Sequence, residues 1–108
     1  MFPNWELLIL RMRIIARRTL REFWDANADA EGALKAWFSE ARSATWQTPN
    51  ELKGQYANAS ILKDGRVVFN ICGNKYRLLV WINYAAQIVL IKFIGTHEDY
   101  DELDLEET

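Results

Sequence analysis

Residues 69–101 read FNICGNKYRLLVWINYAAQIVLIKFIGTHEDYD. Two strongly apolar runs, 76–82 and 87–94, are joined through Asn83-Tyr84-Ala85-Ala86 and read as strands. Their nearly continuous apolar composition predicts central strands covered on both faces. Gly73-Asn74 marks a turn before the first run, and Thr96-His97-Glu98-Asp99 has capping-box spacing, which predicts a short C-terminal helix after the second. Each run carries one cation, Arg77 and Lys92, and the single histidine of the chain, His97, follows the second. A cation planted in an apolar strand is costly unless it has a partner or a task. Gathering Arg77, Lys92, His97 and Tyr100 around one phosphate is such a task.

Upstream, residues 66–71 and 60–63 flank Asp64-Gly65, a turn dipeptide suited to positive φ at both central positions, and predict a hairpin. Thr48-Pro49-Asn50-Glu51 combines a cap with proline at the first helical position and predicts a short helix over 49–55. Ala30, Ala33, Leu34, Trp37, Phe38 and Ala41 recur at helical spacing, with Asn27 or Asp29 as the expected cap. Thr19-Leu20-Arg21-Glu22 predicts the opening of a preceding helix, and Met12-Arg13-Ile14-Ile15 the first strand. Residues 1–11 read as an extension ahead of a single domain over 12–108, with Met12 as an alternative start. Strands gathered after helices define an α+β class: a mostly antiparallel sheet, an N-terminal helical hairpin packed on it, and a short C-terminal helix.

The chain of 108 residues is half apolar, enough for one core. Five tryptophans imply dense packing or rings held for an interface. Net charge is -2, but residues 98–107 hold seven acids and no base, so the remainder carries +5. A basic body attracts a polyanion, whereas a charge run alone is commonly a solvated face. A lone cysteine, Cys72, forms no internal disulfide, and with no secretory signal the expected compartment is the cytoplasm. The apolar stretch near Trp5 is too short to span a bilayer, so no membrane association is expected.

One histidine and one cysteine, far apart, are a poor zinc set, and neither metal nor cofactor is expected. The chain has no Walker loop, GxGxxG or GxSxG element. Acid–base and electrostatic chemistry on a phosphodiester remains. Cleaving RNA requires taking a proton from a 2′-hydroxyl, stabilising an anionic phosphorane and protonating the departing 5′-oxygen. His97 is the candidate acid or base. Arg77 offers a fork for two phosphate oxygens, Lys92 a point charge, and Tyr100, three residues from His97, a hydroxyl or a stacking ring. Lys63, Arg66, Asn70, Asn74 and Lys75 are candidates to extend an RNA-binding groove. The plain alternatives are a surface histidine, a cross-sheet ion pair for Arg77, a lysine lying along a strand edge, a packed tyrosine, and turn residues at Asn70 and Asn74. The helix N-terminus disfavours an imidazolium at His97 while Glu98 and Asp99 favour it, so the balance stays open.

Phe69-Asn70-Ile71 with Gly73-Asn74, then Tyr76-Arg77-Leu78, Phe93-Ile94-Gly95-Thr96-His97 and Tyr100-Asp101 together resemble the HigB family of type II toxin–antitoxin toxins, within the RelE-like superfamily. The likeness extends more loosely to Met12 and the helices. It implies a small sheet with two helices packed on it. It also implies an mRNA interferase acting without metal, usually on messages in translating ribosomes. The implied partners are mRNA and a HigA-like helix-turn-helix antitoxin that neutralises the toxin and supplies any contact with operator DNA. By position, Arg77 matches the arginine of the Tyr-Arg-Leu strand, His97 a place where RelE-type toxins often carry a basic residue, and Tyr100 the tyrosine of the His-x-x-Tyr-Asp ending. Cys72 stands where the family often has glycine. The acidic tail departs from the strongly basic RelE type and counts against unaided RNA affinity, a departure that is tolerable where the ribosome presents the message. The rival reading is a non-catalytic module that binds an antitoxin-like protein, for which the tryptophans and acidic tail speak. A small-molecule binding domain has only the tryptophans in its favour.

Overall fold

A computed structural model describes residues 12–108; the expected extension over 1–11 lies outside the described residues. The elements run β1 (Arg13–Ile15), α1 (Arg17–Ala26), α2 (Glu31–Ser43), α3 (Pro49–Gln55), β2 (Ser60–Ile61), β3 (Arg66–Ile71), β4 (Tyr76–Asn83), β5 (Ile88–Thr96) and α4 (His97–Asp101). The sheet order is β1-β5-β4-β3-β2, with β1 parallel to β5 and every other pair antiparallel. β1 reaches the β5 edge only because the helices carry the chain back across the sheet, as a parallel pairing requires. The α+β class expected from the sequence is therefore the architecture observed.

Alternation along β4 divides its side chains between two faces. Tyr76, Leu78, Val80 and Ile82 join Val67, Phe69 and Val89 in one core with Leu20, Trp24, Leu34, Trp37, Ala41 and Leu52 of the helices. Phe69 is the centre of an aromatic cluster, with ring centroids 5.3 Å from Trp37 and 5.0 Å from Tyr56. Such edge-on pairs each add about 0.5–1.5 kcal/mol beyond area burial. Trp24, Trp37 and Trp46 are all buried here, whereas Trp81 is half-exposed on the opposite face.

The turn chemistry behaves as its residues dictate. Asp64 and Gly65 have φ of 63° and 82°, and Leu62 N donates to Arg66 O at 2.9 Å to close the β2–β3 hairpin. Thr48 Oγ1 accepts from Glu51 N at 3.3 Å, and Glu51 returns a carboxylate oxygen to Gln47 N at 2.7 Å. Thr96 Oγ1 likewise accepts from Asp99 N at 3.1 Å. Cys72, at φ 53°, occupies the left-handed region that favours glycine.

Three expectations are corrected. α1 begins at Arg17 with Ala16 as its uncapped N-cap, so Thr19 lies within the helix rather than at its start. β1 feeds the helix directly, leaving no room for a separate cap. Asn27 and Asp29 do not cap α2: Asn27 Nδ2 donates back to Phe23 O at 3.1 Å, and the Asp29 carboxylate accepts from Lys75 and Tyr76. Lastly, the central strands are fully covered on one face only. On the other face Val68 and Leu79 are buried, but Arg77, Trp81 and Phe93 are half-buried and Lys92 is exposed, because α4 and the chain after it cover only part of that face.

Candidate functional site

The partly covered face is organised in rows by the strand register. Asn70, Arg77 and Gly95 lie side by side across β3, β4 and β5; next come Val68, Leu79 and Phe93; then Arg66, Trp81 and Leu90. An apolar row therefore separates two rows that each carry an arginine. Between Leu79/Val80 the β4–β5 register shifts, and Lys92 is the extra residue of β5 at this bulge. The bulge turns an otherwise inward position outward, which is how an apolar strand tolerates a lysine.

Gly95 allows the first row to be crowded. A Cβ there would stand 2.5 Å from the tip of the Phe93 ring, so the ring folds back over the glycine backbone. Tyr100, one turn into α4, packs on that ring with centroids 6.4 Å apart. The start of α4 is tied to the β3–β4 turn by His97 N donating to Lys75 O at 3.1 Å. This brings the imidazole to the arginine: Arg77 Nη2 lies 2.8 Å from His97 Nδ1, and His97 Nε2 lies 3.1 Å from Asp101 Oδ2. Arg77 Nη1 donates to the carbonyls of Asn74 at 3.0 Å and Tyr76 at 3.3 Å.

These contacts determine the tautomer. Guanidinium nitrogens only donate, so Nδ1 must present its lone pair, and the single proton of a neutral ring sits on Nε2 and is donated to Asp101. His97 is thus held between a cation and a carboxylate. In this arrangement its basic nitrogen is masked until Arg77 finds another acceptor.

The predicted site residues sort into three places. Arg77 and His97 are in contact, with Tyr100 on the same short helix and the main chain of Asn74 beneath the guanidinium. Asn70 is exposed across the strand from Arg77. Lys92, Lys63 and Arg66 line a separate cleft with Trp81. Lys75 instead pairs with Asp29, whose other carboxylate oxygen accepts from Tyr76 Oη at 2.7 Å. Hydrogen bonds from Lys75 and then Tyr76 hold the Asp29 carboxyl below its usual range, and Asp29 in turn raises Lys75 and Tyr76. Asp101 was absent from the candidates read from the sequence. Its sequence signals are its place in the Tyr100-Asp101 ending and the four-residue spacing from His97, which aligns the two side chains on a helix. Among the described residues no three His, Cys, Asp or Glu side chains gather as a metal site, and no helix is long and apolar enough to cross a membrane.

Fold and site together define a small α+β domain that presents an arginine–histidine pair on the open face of its sheet. Residues 30–103 match the model of the HigB toxin family, described as the RelE-like toxic component of a toxin-antitoxin system, and the chain belongs to this family. It is similar to the mRNA interferase HigB of Escherichia coli O6:H1 (strain CFT073), with 24% identity over 94 residues, covering 85% of this chain and 91% of that protein. It is also similar to the mRNA interferase toxin HigB of Escherichia coli K12, with 24% identity over 92 residues, covering 83% and 88% of the two chains. The mRNA interferase HigB of Shigella flexneri matches to the same extent, 24% over 92 residues.

Proposed function

We propose that this protein is an mRNA interferase, an endoribonuclease that cleaves messages in the cytoplasm, on the translating ribosome, without a metal ion. It is held inactive by a HigA-like helix-turn-helix antitoxin. The observation that carries the reading is the 2.8 Å contact between Arg77 and His97 on the open sheet face. An RNA phosphate offers the guanidinium fork a better acceptor than an imidazole lone pair, because the bonds it makes are charge-assisted and bidentate. As Arg77 turns to the phosphate, Nδ1 of His97 is released. It takes the proton of the 2′-hydroxyl while the 2′-oxygen forms its bond to phosphorus. Arg77 stabilises the charge on the phosphorane, and the bond from phosphorus to the 5′-oxygen breaks as that oxygen takes a proton from water, the imidazolium then returning its proton to the hydroxide that remains. Asp101 steadies the imidazolium through Nε2. Tyr100, packed at a tilt on Phe93, borders the same row and orients the phosphate or a base.

Induction in a bacterium, followed by mapping of message 5′ ends, tests the reading. New ends and growth arrest are expected for the parent and not for His97→Ala or Arg77→Ala, provided both variants remain folded. Equal toxicity of parent and both variants removes the proposed site.

A further inference from the structure

The second cation-bearing row opens onto a cleft of about 590 Å³ between the Asp64-Gly65 turn, Trp81 and the bulge at Lys92. Lys63, Arg66 and Lys92 line it, and among the described residues none has a carboxylate within ion-pair distance. Trp81 is held with the pyrrole edge of its ring against the turn, where a Cβ on Gly65 would stand 3.0 Å from Nε1. Unpaired cations around a fixed indole are the elements by which proteins hold single-stranded nucleic acid: charge follows the backbone and the ring stacks on a base. Four residues of extended β4 separate Trp81 from Arg77, about 13 Å along the strand. The cleft therefore lies beside the Arg77–His97 pair on the same face, across the apolar row.

A piece of the chain already enters it. Leu105, Glu106 and Thr108 line the cleft, and Arg66 Nη1 donates to the Leu105 carbonyl. This is the run in which residues 98–107 carry seven acids and no base. An acidic segment whose carbonyl occupies the arginine of a cationic cleft competes with any polyanion that binds there.

We propose that this cleft is a subsite for an unpaired nucleotide of the RNA flanking the scissile phosphate. Trp81 stacks on the base, Lys63, Arg66 and Lys92 hold the backbone, and the acidic tail occupies the cleft until RNA displaces it. The inference rests on the ribonuclease reading for its ligand, but its test measures binding alone.

Fluorescence anisotropy of an unstructured RNA 12-mer with the full-length protein, across a salt series, provides that test. Trp81→Leu is expected to weaken binding about fivefold or more, from the loss of a stacked base, and Trp81→Phe to retain most of it. Arg66→Ala and Lys92→Ala are each expected to flatten the slope of log affinity against log salt by about 0.7, the value for one phosphate contact on a single strand. The full-length triple variant Asp104→Asn, Glu106→Gln, Glu107→Gln is expected to bind RNA several-fold more tightly than the parent, most clearly at low salt. Binding that is unchanged by Trp81→Leu and by the tail substitutions overturns the subsite, and leaves the cleavage reading intact if His97→Ala still abolishes cleavage. Trp81-dependent binding by a parent protein that cuts no message upholds the subsite and removes the cleavage reading.

Discussion

The double substitution His97→Ala with Arg77→Ala is the sharpest probe of the site. General acid–base groups contribute typically about 10²–10⁴-fold, or about 3–5 kcal/mol. Removing one donor that stabilises an oxyanion costs about 10²–10³-fold. Acting independently, the two losses would multiply to about 10⁴–10⁷-fold. The side chains touch at 2.8 Å, however, and in the proposed mechanism the base is released only when Arg77 engages the phosphate. Each single variant therefore disables the same event, and the double variant is expected to fall within about tenfold of the worse single. The assay is single-turnover cleavage of a defined message on programmed ribosomes, read by primer extension of the new 5′ ends. Thermal melts serve as the folding control, because Arg77 also bonds the Asn74 and Tyr76 carbonyls, worth about 1 kcal/mol of stability. A double loss equal to the product of the single losses would refute the coupling. A single variant that cleaves at the parent rate would remove that residue from the site.

Four further outcomes are expected. The His97–Asp101 pair is half-exposed, 44% and 58%, so Asp101→Ala is expected to slow the same cleavage by less than about tenfold, on the scale of an exposed ion pair; a loss as large as that of His97→Ala contradicts a steadying role. Leu79 is fully buried on the face away from α1, α2 and α3; Leu79→Ala is expected to cost about 2–5 kcal/mol in denaturant unfolding, and a cost near zero means that α4 and the tail do not cover it. Gly65→Ala places a methyl at φ 82° and 3.0 Å from the Ile82 carbonyl oxygen, with an expected loss of about 1–2 kcal/mol by thermal melting. Asp29 has its carboxyl held below 3.8, so its contribution is present above that value and lost as pH falls through the lowered one; Lys75 is raised above 10.5, so its contribution is present below that value and lost as pH rises through the raised one. Melting temperature against pH is expected to decline at both ends, and Asp29→Asn to flatten both declines; an unchanged profile assigns the pH dependence elsewhere.

Local chemistry made much of this molecule readable. Asp64-Gly65, the Thr48 cap with Pro49, the Thr96 cap and the long apolar runs each specify their conformation through the backbone itself or through neighbours a few residues away. The stripe from Ala30 to Ala41 did so through helical period, and Leu34, Trp37 and Ala41 are buried as that period requires. Thr19 misled because a capping pattern records only what a side chain can do. β1 runs straight into α1, so the helix had already begun.

What the residues determined alone was the element order, the α+β class and the list of side chains suited to a phosphate. Which of those side chains meet was decided by pairing across strands far apart in sequence. Register set Arg77 opposite Gly95, and the missing Cβ there let Phe93 fold back beneath Tyr100. A one-residue bulge sent Lys92 to the second cleft with Lys63 and Arg66, and Asp29, forty-six positions away, drew Lys75 to the helical side. Local sequence carries no record of such partners, because a strand's face and register follow from the neighbours it buries against, and those neighbours are fixed only when the sheet closes.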